Sequence, residues 1–303
     1  MSTCAPGKLI DGKATANAIL AEVAEKVAVF GKGHRPPRLA VMIVGEDPAS
    51  KVYVRGKIRS AKKCGIDSTL MELPEDVSGE EFFAKLDSIG ADADIDGVLV
   101  QLPLPGHIDQ RSVIERIPPH KDVDGFHPYN LGRLASGDPL FVPCTPLGIV
   151  ELLSRYGVST TGRHVVIVGR SIIVGKPLAL LLSRKGEGGD ATVTICHSRT
   201  RDIAAVASTA DILVAAVGSP AMIKAGMVKN GVVVIDVGVN RVDDPGSEKG
   251  YRLSGDVDFD TVHEKASLIT PVPGGVGPMT RAMLMCNTLQ AAIRARGLED
   301  EGV

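Results

Sequence analysis

Short apolar runs rich in valine and isoleucine recur along the chain, and each is followed by a stretch with helical spacing. They are RLAVMIVG (38–45), GVLVQLPL (97–104), HVVIVGR (164–170), ATVTIC (191–196), DILVAAVG (211–218), GVVVIDVG (231–238) and SLITPVPG (267–274). A strand buried on both faces reads as a continuous apolar run, and strands separated by helices imply parallel sheets of the α/β class. No run repeats with a fixed period, which argues against a solenoid.

Helix signals divide this series. In FVPCTPLGIVELLSRYG (141–157), Thr145 reads as an N-cap and Pro146 as a first-turn proline, with the helix ending near Gly157. Residues from about 160 to 270 then form a compact βαβ series, and MTRAMLMCNTLQAAIRARG (279–297) is a final helix able to pack back on the first domain. The expected architecture is two α/β domains with a cleft between them, one made of residues 1–146 and 279–303, the other of 147–278. A further amphipathic stretch, VYVRGKIRSAKKCGI (52–66), carries Tyr53 and Lys57 at helical i, i+4 spacing, on one face.

Composition narrows the class. A chain of 303 residues can bury more than one core, and its 44% hydrophobic content suits a globular protein. With 34 Lys+Arg against 36 Asp+Glu the formal charge is −2, which gives no global electrostatic pull toward nucleic acid or an anionic membrane. Five cysteines (Cys4, Cys64, Cys144, Cys196, Cys286) are odd in number, scattered and without a C-x-x-C pair, pointing to reduced thiols rather than a zinc site or disulfide framework. No charged-then-apolar leader opens the sequence and no apolar run approaches the roughly 20 residues of a membrane span. A soluble cytoplasmic protein is expected.

HVVIVGRSIIVGKPLALLLSRKG (164–186) reads as a buried strand, a glycine turn and a helix with Pro177 near its start. Gly169 permits the sharp turn, Gly175 a close backbone approach, and the helix N-terminus behind them favours a pyrophosphate. The spacing is G-x5-G instead of G-x-G-x-x-G, so a plain strand-to-helix turn competes with this reading. In an NAD site an Asp or Glu about 20 residues on binds the ribose. Here TVTICHSRT (192–200) ends in Cys196, His197, Ser198 and Arg199 with no carboxylate. Together with Arg170 this suits the 2′-phosphate of NADP.

Seven stretches resemble the methylenetetrahydrofolate dehydrogenase/cyclohydrolase family of one-carbon folate metabolism. They are GEDPASKVYVRGKIRSAKKCGI (45–66), DGVLVQLPLP (96–105), PHKDVDGFHPYNLGRL (119–134), PCTPLGI (143–149), VGRSIIVGKP (168–177), DVGVN (236–240) and PVPGGVGPMT (271–280), in order along nearly the whole chain. The resemblance implies an N-terminal substrate domain completed by the last helix, a Rossmann-type NADP domain and a homodimer. It also implies two reactions: hydride transfer from 5,10-methylenetetrahydrofolate to NADP+, then hydrolysis of the methenyl cation to 10-formyltetrahydrofolate, which serves purine biosynthesis.

By the same resemblance the catalytic lysine is Lys57, Gln101 orients it, and Asp124 in D-x-D-G pairs with the donor edge of the pterin. Tyr53 stacks on the folate ring, and Pro273, Gly274 and Gly275 form a stiff loop against substrate. Gly169, Arg170, Ser171 and Ser198 hold the cofactor, and Val239 lies beside the nicotinamide where the family often has isoleucine. A neutral lysine amine suits this chemistry, since an ammonium beside the methenyl cation would be repelled. A metal reading of His120, Asp122, Asp124 and His127 competes with ordinary turn chemistry, and no further motif supports it. Arg55, Arg59, Lys62 and Lys63 read as a solvated face rather than a nucleic-acid footprint.

Overall fold

The computed structural model describes residues 8–247 and 250–298; Cys4 lies outside them. Along the first half the elements are β1 (Lys8–Leu9), α1 (Gly12–Phe30), β2 (Arg38–Val44), α2 (Pro48–Cys64), β3 (Asp67–Leu73), α3 (Gly79–Ala91), β4 (Gly97–Val100), α4 (Gln110–Arg116) and α5 (Pro128–Ala135). There follow α6 (Cys144–Arg155), β5 (His164–Val168), α7 (Gly175–Ser183), β6 (Thr192–Cys196), α8 (Ile203–Ala207) and β7 (Ile212–Ala215). The chain continues through β8 (Val233–Asp236), β9 (Asn240–Asp243), β10 (Tyr251–Ser254), α9 (Phe259–His263), β11 (Leu268–Ile269) and α10 (Val276–Ala295).

These elements form two compact units. One holds Asn17–Cys144 and the chain from Arg281 onward; the other holds the chain up to Ala16 and Thr145–Thr280. All seven apolar runs contain strands. The first unit has a three-stranded parallel sheet in the order β3-β2-β4, the second a six-stranded parallel sheet in the order β1-β11-β8-β7-β5-β6. The cores are separate: Met42, Phe82, Leu86 and Val98 anchor one, and Val166, Leu213, Val234 and Ile269 the other.

Two expectations change. The N-terminal strand, expected within a 1–146 domain, belongs to the second unit: β1 pairs with β11, and the Ile10 amide donates to the Ile269 carbonyl at 2.9 Å. A two-residue strand is too short to declare its partner by periodicity. Thr145 is not the N-cap of α6, which starts at Cys144; its hydroxyl shares a 2.9 Å hydrogen bond with that of Thr280. The sequence pattern also missed β3, because this edge strand is mostly exposed and carries no continuous apolar run.

Local chemistry fixes α2. The Asp47 carboxylate caps it by accepting from the Ser50 amide at 2.7 Å, and Pro48 begins it. Gly65 ends it in the left-handed region (φ 73°), where Ile66 N–H reaches back to the Ala61 carbonyl at 2.9 Å. Val54, Ala61 and Cys64 form its buried stripe.

A buried carboxylate ties the first unit together. Asp96, 2% exposed, accepts from Arg35 at 2.7 Å, from Arg296 on the chain after α10 at 2.9 Å, and from the Arg38 amide that opens β2 at 2.8 Å. Deleting it removes a buried acceptor from two guanidinium groups and the partner of the Arg38 amide. Asp96→Ala should lower the unfolding free energy by about 2–4 kcal/mol, read as an earlier denaturant midpoint; an unmoved midpoint would show that the cluster is dispensable.

Candidate active site and cofactor edge

In the first unit, chemistry gathers where β4 ends. The Gln101 amide extends the ladder by donating to the Met42 carbonyl at 2.8 Å, which fixes the side chain at the strand's C-terminal end. Gln101 Nε2 donates to the Leu102 carbonyl at 2.6 Å, and its Oε1 accepts from Lys57 Nζ at 3.0 Å. With the amide nitrogen committed to backbone, the oxygen must face the amine. Lys57 is partly buried, whereas Arg55, Arg59, Lys62 and Lys63 are exposed, so α2 separates one lysine from a solvated basic face. Tyr53, one turn before Lys57, is 45% exposed, a large ring left uncovered.

Asp124 arrives beside this pair on a segment that runs alongside β4, the Val98 amide donating to the Lys121 carbonyl at 2.8 Å. Gly125 sits at φ 76°, and a Cβ there would lie 2.7 Å from the Pro143 nitrogen, so D-x-D-G ends in the residue that fits. The two aspartates of the motif differ. Asp122 is consumed structurally: its Oδ2 accepts from the His127 amide and from Asn130 Nδ2, both at 2.8 Å. Among the described residues none donates a hydrogen bond to the Asp124 carboxylate, which lines a small apolar cavity with Val98, Val100 and Phe126. Desolvation there pushes its carboxyl up, the Lys57 charge pulls it back, and the Asp122 charge adds a smaller upward push. No group of three His, Cys, Asp or Glu among the described residues is arranged to hold a metal.

Sequence reasoning missed Asn287 and Cys144. Asn287, buried on α10, donates to the carbonyls of Val123 at 2.8 Å and Val142 at 3.0 Å, pinning the loop that presents Asp124. Cys144 lies in the same field; burial first, then the Asp124 charge, raise its thiol well above the usual range. The available signal was a lone asparagine inside the apolar MLMCNTLQAA.

The second unit carries its chemistry along one edge. Because its strands are parallel, the loops after β11, β8, β7, β5 and β6 leave the same side of the sheet. Along that edge lie Pro273, Gly274 and Gly275, then Val239, then Gly169, Arg170 and Ser171, then Ser198. The order reverses at β5, whose neighbours are β6 and β7, the place where open α/β sheets bind ligands. Gly169 (φ 136°) presses on the next strand's end: a Cβ would lie 2.1 Å from the Ala216 carbonyl oxygen. Ser171 Oγ accepts from the amides of Val174 at 3.1 Å and Gly175 at 3.4 Å, so it shapes the turn that starts α7, while Arg170 remains exposed.

Residues 10–124 match the catalytic domain of the tetrahydrofolate dehydrogenase/cyclohydrolase family, and residues 143–296 match its NAD(P)-binding domain. The chain belongs to this family. The bifunctional protein FolD of Salinibacter ruber is 54% identical over 292 residues, covering 96% of this chain and 98% of that one. That of Flavobacterium johnsoniae is 53% identical over 285 residues, covering 94% and 97%. Among solved structures, the Trypanosoma brucei methylenetetrahydrofolate dehydrogenase-cyclohydrolase complexed with NADP cofactor and inhibitor superposes with a TM-score of 0.91 at 41% identity, covering 97% and 99%. The bifunctional enzyme of Campylobacter jejuni gives 0.88 at 44% identity, covering 95% and 99%.

In this family member the DVGVN segment also begins with a buried acid. Asp236, 3% exposed, has its carboxyl pushed up to about 6, chiefly by burial, although the amides of Asp256, Val257 and Gly238 oppose the shift. A carboxyl whose folded value lies above its unfolded one stabilises the fold at low pH and loses that contribution as pH rises from about 4 through about 6. Against Asp236→Asn, the intact protein should therefore gain about 1.4 kcal/mol of stability in total on going from pH 7 to 5. Parallel stability profiles for the two proteins would contradict this.

Proposed function

We propose that this chain oxidises 5,10-methylenetetrahydrofolate with NADP+ and hydrolyses the resulting 5,10-methenyltetrahydrofolate to 10-formyltetrahydrofolate. The observation that carries the reading is the 3.0 Å contact between Lys57 Nζ and Gln101 Oε1 beside Asp124, on residues matched by the family's catalytic domain. The methenyl carbon bears positive charge shared with N5 and N10. Water adds to that carbon and Lys57 takes the proton the water must lose; the C–N5 bond then breaks as N5 gains a proton and the new hydroxyl releases one, leaving the formyl group on N10. Gln101 suits this role because its side-chain oxygen holds the Lys57 nitrogen in place at the end of β4.

Among the described residues no donor reaches the Asp124 carboxylate, as a residue that pairs with two N–H groups of a flat pterin requires. Tyr53 offers its exposed ring for stacking. Pro273, Gly274 and Gly275 supply a rigid, side-chain-poor approach to substrate, with Gly274 at φ 111°.

The residues of the second unit fit a dinucleotide. A Cβ at Gly175 would lie 2.1 Å from the Gly169 carbonyl oxygen, so the turn is bare backbone ahead of a helix N-terminus. When bound, NADP+ accepts the hydride. Gly169 and Ser171 would form the phosphate turn, Arg170 and Ser198, from adjacent strand ends, would hold the 2′-phosphate, and Val239 would border the nicotinamide. The same reading makes the molecule a cytoplasmic homodimer whose formyl product supplies purine biosynthesis; the family resemblance is its support.

Lys57→Met should lower cyclohydrolase turnover by at least about 100-fold while NADP+ affinity survives; an equal loss of NADP+ affinity would remove Lys57 from this role. Arg170→Ala and Ser198→Ala should each reduce the kcat/KM preference for NADP+ over NAD+, Arg170→Ala by about tenfold. Comparable kcat/KM for the two cofactors in the unaltered enzyme would refute the assignment of these residues.

A further inference from the structure

The loops after β7 and β8 meet at one side chain that no reaction step uses. Asp256, 0% exposed, accepts from three consecutive backbone amides after β7: Val217 at 2.6 Å and Gly218 at 3.0 Å on Oδ2, and Ser219 at 2.9 Å on Oδ1. Its Oδ1 also accepts from Asn240 Nδ2 at 2.9 Å, on the segment after β8. Gly238 lies flat against the same carboxylate; a Cβ there would be 2.2 Å from Asp256 Cγ.

Asp256 is itself held from below. Asp236 Oδ1 accepts from the amides of Gly238 at 3.0 Å and Asp256 at 2.9 Å, Oδ2 accepts from Val257 at 3.0 Å, and the Asp236 amide donates to Thr270 Oγ1 at 2.7 Å. A Cβ at Gly255 would fall 1.8 Å from Asp236 Oδ2, so glycines at 238 and 255 are what let two carboxylates sit against backbone. An apolar residue would fill the same volume without the desolvation cost of a buried carboxylate. What Asp256 adds is orientation of the two loops it joins.

We infer that Asp256 is a positioning residue for the cofactor: it clamps the 217–219 turn and both flanks of Val239, and so sets where the nicotinamide half of the dinucleotide is received. Val239, 42% exposed, stands between Gly238, which abuts the carboxylate, and Asn240, which donates to it. The inference rests on the assignment of Val239 and NADP+ in the proposed function. Asparagine at 256 would turn an NH2 group toward one of the two donor pairs, breaking half of the clamp while keeping its size.

The test compares the intact protein with Asp256→Asn and Asn240→Ala. In NADP+-free protein, amide exchange at residues 217–219 should quicken by about tenfold or more in Asp256→Asn and stay near the original rate in Asn240→Ala. Calorimetric titration with NADP+ should show affinity falling about tenfold in Asp256→Asn and about threefold in Asn240→Ala. The rise in KM for NADP+ should come without a matching loss of cyclohydrolase turnover, which a general loss of folding would produce. Folded Asp256→Asn that binds NADP+ as the intact protein does, or that loses both activities in step, overturns the inference. Should Asp256→Asn fail to fold, Asn240→Ala decides, and unchanged NADP+ affinity overturns it. Intact protein that binds no NADP+ would instead sink the functional reading.

Discussion

A parallel sheet buried on both faces gives the chain one place for polar work, the edge where its strands end. Backbone and side-chain donors cannot be left unpaired between helix and sheet layers, so groups that must meet a ligand collect in the loops beyond the carboxyl ends. Both units obey this. Gln101 stands at the end of β4 with Lys57 facing it from α2, and five loops of the larger sheet line up from Pro273 to Ser198. The reversal of strand order at β5 opens the edge where Gly169 touches the Ala216 carbonyl, and only glycine permits that approach.

Buried acids then divide between scaffolding and function according to what their oxygens accept. Asp96, Asp122, Asp236 and Asp256 spend theirs on arginines, backbone amides or asparagines, and each thereby fixes a loop or a chain end. Asp124 differs: it is presented by a loop that Asn287 pins from behind, and no donor among the described residues occupies its carboxylate. The two aspartates of one D-x-D-G motif thus differ, Asp122 holding the turn and Asp124 left without a hydrogen-bond donor among the described residues. The same logic separates Lys57 from the four exposed cations of α2, since only Lys57 finds a side-chain acceptor at a strand end.

Periodicity and short motifs carried much of this in one dimension. Continuous valine-rich runs located the seven principal strands because burial on both faces leaves no room for polar alternation. Y-x-x-x-K placed Tyr53 and Lys57 on one helical face because helical geometry is local. The G-x5-G turn and the missing acid after β6 were legible because a strand-to-helix turn is built from consecutive residues.

Several long-range partnerships were not legible. The chain alone could not say that Lys8–Leu9 would pair with β11, that Asn287 would hold the Asp124 loop across 164 positions, or that Asp256 would collect amides from one loop and a side chain from another. Each depends on where two distant segments come to rest, and a residue's own neighbours in sequence exert no force that encodes it. Local composition determined which segments became strands and helices and which residue types stood at their ends. Tertiary packing decided which carboxylates were neutralised by partners and which were left open, because desolvation and hydrogen-bond pairing act only between groups that folding has brought into contact.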